Sequence, residues 1–115
     1  GQVASESVGT SQYSGTGGQT DTAVGAKEAY DGLGKSIIAC TSSAKGETVS
    51  TIVPTLPAGT AVTLHRSNTD HIVTEYGIAY MRGRTIKERT LNLIAVAHPK
   101  FRDELKAQAQ GLGYL

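Results

Sequence analysis

At 115 residues the chain has room for one small domain with a single core. Eleven Lys and Arg against ten Asp and Glu leave a formal charge of +1, which excludes the strong field of a nucleic-acid or anionic-membrane binder. The lone Cys40 has no partner for an internal disulfide, the opening residues do not read as a signal peptide, and no apolar run nears the roughly 18 residues of a membrane helix, so a soluble, cytoplasmic protein is expected.

Residues 1–34 are rich in Gly, Ser, Thr and Gln, with few apolar side chains beyond Val3, Val8 and Val24. Such a segment offers little area to offset its ordering entropy, so it reads either as a linker or as backbone ordered by packing elsewhere. Residues 35–80 carry the strand signals. Lys35 to Cys40 is a short, mostly apolar run that suits a buried strand, and Val49 to Val53 is predicted to pair with it as a hairpin through the turn Ala44-Lys45-Gly46-Glu47. Pro54 and Pro57 interrupt any ladder before a predicted strand at Ala61 to Leu64, and the β-branched run Ile72 to Thr74 predicts another, ending at Glu75.

Residues 85–111 predict two helices. Thr85-Ile86-Lys87-Glu88 is a capping box, in which the Thr85 hydroxyl accepts from the Glu88 amide and the Glu88 carboxylate accepts from the Thr85 amide. Ile86, Thr90, Leu93, Ile94 and Ala97 then recur on one face, with Lys87, Arg89 and Asn92 away from it. His98-Pro99 breaks the helix, a second follows with Phe101, Leu105 and Ala109 on one side, and Gly111 is its expected end.

Gly15-Thr16-Gly17-Gly18-Gln19 lacks the Lys-Ser/Thr ending of a P-loop and the spacing of a dinucleotide fingerprint. A flexible loop is one reading of it. The other is a place where reactants approach the backbone and an exposed amide donates to a developing oxyanion. Glu75 ends a β-branched run before Tyr76-Gly77, at the kind of strand end where α/β folds bind ligands, although a surface glutamate has the same pattern. Arg82, Arg84, Lys87 and Arg89 form a basic cluster, either a solvated helix start or an anion site near Glu75. His65, His71 and His98 have no metal-ligand spacing, so no metal is expected, and Cys40 is expected to pack in the core.

Six segments occur in an order that resembles the C-terminal domain of the acetyl-CoA hydrolase/transferase family, most nearly the 4-hydroxybutyrate CoA-transferases. They are Gly17-Gly18-Gln19-Thr20-Asp21, Gly34 to Ala39, Ile52-Val53-Pro54, Ile72 to Ala79, Arg82-Gly83, and Ala95 to Arg102 with its His-Pro-x-Phe-Arg pattern. The resemblance spans nearly the whole chain and implies an α/β fold of the NagB/RpiA/CoA-transferase type: an open sheet with packed helices, here a partial domain. It implies ping-pong transfer through a glutamyl-CoA thioester, with coenzyme A as substrate and no permanently bound cofactor. The nucleophilic glutamate would lie upstream of this chain, which would then be a fragment and inactive alone.

By the same resemblance, Gly18, with Gly17, would supply an oxyanion-hole amide and Glu75 a hydrogen-bonding or conformational partner. Gln19, Asp21, Tyr76 and Gly77 would contact substrate or coenzyme A. The expected partners are an acyl-CoA, a carboxylate, the N-terminal domain of the same enzyme, and a second copy of the chain. Thr22 stands where the family usually has an aromatic residue, and Tyr80-Met81 where it often has Asp-Leu, which implies a divergent acyl pocket. An acyl-CoA hydrolase and a non-catalytic binding or assembly module are the alternative readings.

Overall fold

The computed structural model describes residues 1–115. In chain order it contains β1 (Ser7–Val8), β2 (Ser11–Gln12), α1 (Gln19–Lys27), β3 (Ile37–Ala39), β4 (Ser43–Ala44), β5 (Val49–Ser50), β6 (His71–Thr74) and β7 (Gly77–Tyr80). Then come α2 (Ile86–Val96), a 3-10 turn (Pro99–Phe101) and α3 (Arg102–Gly111). The class is α/β. No helix is long and apolar enough to cross a membrane, and no three His, Cys, Asp or Glu side chains are grouped to hold a metal ion.

The main sheet has the order β3-β6-β7, parallel between β3 and β6 and antiparallel between β6 and β7. Its register aligns Ile38, Ile72 and Ala79 on the face toward α2, while Ile37, His71 and Tyr80 share the opposite face. The inner face and the helices enclose Ile52, Ile72, Ala79, Met81, Val96, Ala97 and Leu105, with Ile38, Leu93, Ile94 and Phe101 packed around them. Met81 is therefore a core residue, with no surface exposed. On the outer face Ile37, Ile78 and Tyr80 remain open to solvent.

Several expectations are corrected. The Lys35 to Cys40 run does not pair with Val49 to Val53; the only hairpin there joins Ser43-Ala44 to Val49-Ser50. Lys45, Gly46 and Glu47 all take left-handed φ angles of 50°, 63° and 62°, which turn the chain back on itself at once and leave Ile37–Ala39 to pair with β6. Ala61 to Leu64 is no strand, and only the Val3-Leu64 bridge forms. Its polar groups are taken by the N-terminal segment: Thr63 N–H donates to Val3 O at 2.8 Å, Ser5 N–H to Thr63 Oγ1 at 3.0 Å, and Ala61 N–H to Ser7 Oγ at 2.8 Å. These bonds order the glycine-rich segment, and they do so largely through short hydroxyl side chains in place of a ladder.

The same segment contains α1, a helix its composition did not announce, starting at Gly18 with no side-chain cap. The strand Gly77–Tyr80 was likewise not anticipated as a separate element. It is the return arm of a two-residue hairpin, because Thr74 and Gly77 pair directly across Glu75-Tyr76. The Thr85 capping box is present. Ile86, however, is exposed, and the buried end of α2 is Val96 with Ala97 as its cap. Arg89 and Asn92 are not turned away: Arg89 Nη1 donates to Met81 O at 2.8 Å and Asn92 Nδ2 to Tyr80 O at 2.7 Å, so both fasten α2 to the end of β7. In α3, Leu105 and Ala109 are buried as expected. The helix ends at Gly111 as expected, and the left-handed glycine that closes it lies two residues on. Gly113 has φ 73°, and Tyr114 N–H to Ala109 O and Gly113 N–H to Gln110 O complete a Schellman closure.

Candidate functional site

The two arms of the β6–β7 hairpin are four residues each and pair directly, so the turn projects Glu75 and Tyr76 beyond the C-terminal ends of the parallel strands β3 and β6. Gly77 leaves the turn with φ 136°, a conformation that favours glycine. Thr74, buried at the base, donates its hydroxyl to Val96 O at 2.6 Å and accepts from Tyr76 N–H at 3.1 Å. One side chain thus ties the turn to the end of α2.

The Glu75 carboxylate lies on the chain that follows β3. Ser42 N–H donates to both oxygens, at 3.2 Å to Oε1 and 3.0 Å to Oε2, and Ser42 Oγ donates to Oε1 at 2.5 Å. The Ser42 hydroxyl, the Glu75 amide and the Ser42 amide hold the carboxyl below its ordinary value, burial opposes them, and the nearby His98 adds a smaller pull. Glu75 is exposed and makes no ion pair with Lys or Arg. The basic cluster does not reach it: Arg82 approaches Asp70 at 3.9 Å, and Arg89 also donates to Arg66 O at 2.6 Å.

Tyr76 packs edge-on against His98, with ring centroids 5.5 Å apart, and the Arg102 guanidinium lies 5.4 Å from the Tyr76 ring centre. His98 meets Phe101 at 5.9 Å, and its Nε2 is 3.6 Å from Glu47 Oε2. Arg102 is aimed by Nε donating to Ala97 O at 2.9 Å. The Thr-Glu-Tyr-Gly turn and the His-Pro-Lys-Phe-Arg corner, separated in sequence, therefore form one surface. Cys40 sits beside it, exposed and not in the core as expected, because the strand ends at Ala39 on the sheet edge. Burial around the sulfur and the Glu75 charge push its thiol up, against a hydrogen bond from Thr51.

Gly17 and Gly18 stand elsewhere, at the N-terminus of α1. Gly17 has φ 55°, and no heavy atom lies within 4 Å of where a Cβ would stand on either residue. Without a side-chain cap, the first amides of the helix are available to an incoming acceptor. Gln19 is half-buried and accepts from Ser5 Oγ at 3.0 Å, whereas exposed Asp21 makes no side-chain hydrogen bond or ion pair. The loop is anchored by Thr20 Oγ1 donating to Thr63 O at 2.8 Å. No hydrogen bond or ion pair joins this group to the Glu75 turn, so the structure assembles the candidate residues as two separate clusters. Ser42, His98, Phe101 and Arg102 had not been singled out as site residues. The His-Pro-x-Phe-Arg pattern was a signal for three of them, and nothing in sequence distinguishes Ser42 from its neighbours.

The fold and this turn define an α/β domain that presents a carboxylate, held by neutral donors, at parallel strand ends. A profile of the acetyl-CoA hydrolase/transferase C-terminal domain matches residues 1–109. The chain is 48% identical over 110 residues, 96% of its length, to a succinyl-CoA:cyclohexane-1-carboxylate CoA transferase of Geobacter metallireducens, of which it covers 25%. It is 50% identical over 105 residues, 91% of its length, to a 4-hydroxybutyrate coenzyme A transferase of Clostridium kluyveri, of which it covers 24%. The crystal structure of RipA from Yersinia pestis superposes on the whole chain with a TM-score of 0.89 at 42% identity, 25% of RipA being covered. The chain belongs to the acetyl-CoA hydrolase/transferase C-terminal domain family. It spans about a quarter of the length of these relatives.

Proposed function

We propose that this chain is the C-terminal part of a CoA-transferase that moves coenzyme A between an acyl-CoA and a carboxylate such as acetate or 4-hydroxybutyrate. The nucleophile is a glutamate outside this chain. Its carboxylate attacks the acyl-CoA carbonyl and displaces the thiolate; the thiolate then attacks the glutamyl carbonyl of the mixed anhydride, releases the first carboxylate and leaves a glutamyl-CoA thioester. A second carboxylate runs the two steps in reverse. Each attack passes through an oxyanion, and an amide of Gly18, with Gly17, donates to it. Glu75 is a hydrogen-bonding partner in the same cleft, and Gln19, Asp21, Tyr76 and Gly77 contact substrate or coenzyme A. The N-terminal domain of the protein supplies the opposite wall, and the nucleophile lies upstream of Gly17-Gly18 in sequence.

The observation that carries this reading is the convergence of the Glu75 turn and the His98 to Arg102 corner on one exposed surface at parallel strand ends. The two relatives named CoA transferases support the reaction class. The test is exchange between acetyl-CoA and 4-hydroxybutyrate, followed by product analysis, in the isolated chain and in a longer protein that includes the upstream part. The longer protein is expected to exchange and the isolated chain to be inactive. Robust turnover by the isolated chain would refute the missing nucleophile, and free coenzyme A without exchange would identify a hydrolase.

A further inference from the structure

We infer that Ser42 is a positioning residue for this reaction, fixing the Glu75 carboxylate at the mouth of the acyl-CoA site. The inference rests on the transferase reading above. Ser42 is fully buried, and both of its donors, the backbone N–H and the hydroxyl, are directed at the carboxylate of an otherwise exposed glutamate. A surface glutamate has no need of such a seat. Two donors of one buried residue hold the rotamer of a side chain that would otherwise swing freely in solvent, so the orientation of the carboxylate is fixed.

Ser42 is itself held from three sides. Its carbonyl accepts from Thr51 N–H at 3.1 Å, the preceding Thr41 carbonyl accepts from Thr51 Oγ1, and Cys40 N–H donates to Val73 O at 3.0 Å. The seat therefore belongs to the edge of the sheet and to the β4–β5 hairpin, with Val73 of β6 tying it to the strand that leads into the Glu75 turn. Ser42 is also a neutral partner. An arginine would cancel the carboxylate's charge, whereas two neutral donors fix its direction and leave the charge to act on substrate. Oε1 receives both Ser42 donors, and Oε2 receives only the amide, so Oε2 is the oxygen left to accept an N–H or O–H of the bound acyl-CoA. The titratable groups around Glu75 are Cys40 after β3 and His98 before the 3-10 turn, the latter facing Glu47.

The experiment uses the longer protein carrying S42A, S42T, E75Q and S42A/E75Q, each checked for folding by circular dichroism. S42A is expected to lower kcat roughly tenfold with little change in KM, the scale of losing one hydrogen bond to a charged group. S42T should recover most of the rate. In the E75Q background S42A should cost nothing further, and this arm remains decisive if the methyl of S42T does not fit. A carbon-13 titration of the Glu75 carboxyl should show a higher midpoint in S42A. An unchanged kcat in S42A, with or without a shifted midpoint, would overturn the inference. An equal loss in the E75Q background would do the same, by making Ser42 merely structural. A wild-type protein with no exchange activity removes the transferase reading and the inference with it.

Discussion

The Thr74 hydroxyl donates to the carbonyl of Val96 at 2.6 Å, joining the last residue of β6 to the last residue of α2 across 22 positions of sequence. Thr74 is buried, so Thr74→Val would leave that carbonyl without this donor while keeping the shape of the side chain. The expected loss is about 1–3 kcal/mol of stability, the cost of an orphaned buried acceptor. Urea denaturation checks it, and a midpoint equal to wild type would show that the tie contributes nothing. The Tyr76 amide loses its acceptor in the same variant, so its hydrogen exchange should quicken.

The Glu75 carboxyl is held below its ordinary value of 4.5, first by the Ser42 hydroxyl and then by the Glu75 and Ser42 amides. A depressed carboxyl favours the folded form above the unfolded-state value, and that contribution disappears as pH falls through the lower folded-state value. The Ser42 amide resonance should therefore move with pH in a titration whose midpoint lies below 4.5. In E75Q the movement should vanish. A midpoint at or above the ordinary value would contradict the hydrogen-bond assignment.

Cys40 is exposed, yet burial around its sulfur and the Glu75 charge both raise its thiol. Because the thiolate is the reactive form, Cys40 should react with a maleimide or disulfide reagent more slowly than glutathione at neutral pH. E75Q should accelerate the reaction by removing the nearby negative charge. An identical rate in both proteins would show that the two groups are not coupled.

Gly34 sits where the chain leaves α1 for β3, and a Cβ there would fall 1.9 Å from Ala26 O and 2.9 Å from Ala29 Cβ. Backbone cannot yield as a side-chain tip can. Gly34→Ala is expected to cost about 3 kcal/mol, the upper end of overpacking penalties, and thermal unfolding measures it. Gly18→Ala is the control: its φ is −97° and it meets nothing within 4 Å, so stability should hardly change.

The helices were the most readable part of the sequence, because a capping box and a 3.6-residue period are local signals; Thr85, Glu88, Leu105 and Ala109 all stand as their spacing implies. The sheet was less so. Ile37–Ala39 is a strand, but its partner was decided by three left-handed residues at 45–47, two of them not glycine, and no short-range pattern announces that. Helix α1 escaped notice because Gln19-Thr20-Asp21-Thr22-Ala23 has no apolar stripe; only Ala23 is buried, and tertiary bonds such as Thr20 to Thr63 hold the helix. Glu75 stood out through its position after a β-branched run. Its seat at Ser42 did not, since a hydrogen bond between residues 33 apart leaves no trace in spacing.

That separation bears on the order in which the molecule forms. The β6–β7 turn closes over two residues and the β4–β5 turn over four, whereas β3 must find β6 across more than thirty. Short loops close early and long ones late, so the hairpin bearing Glu75 should exist in the folding chain before the strand that brings Ser42 to it has docked. Glutamate and serine then meet in one of the last steps, and a chain trapped short of that pairing would have its turns in place and its carboxylate unheld.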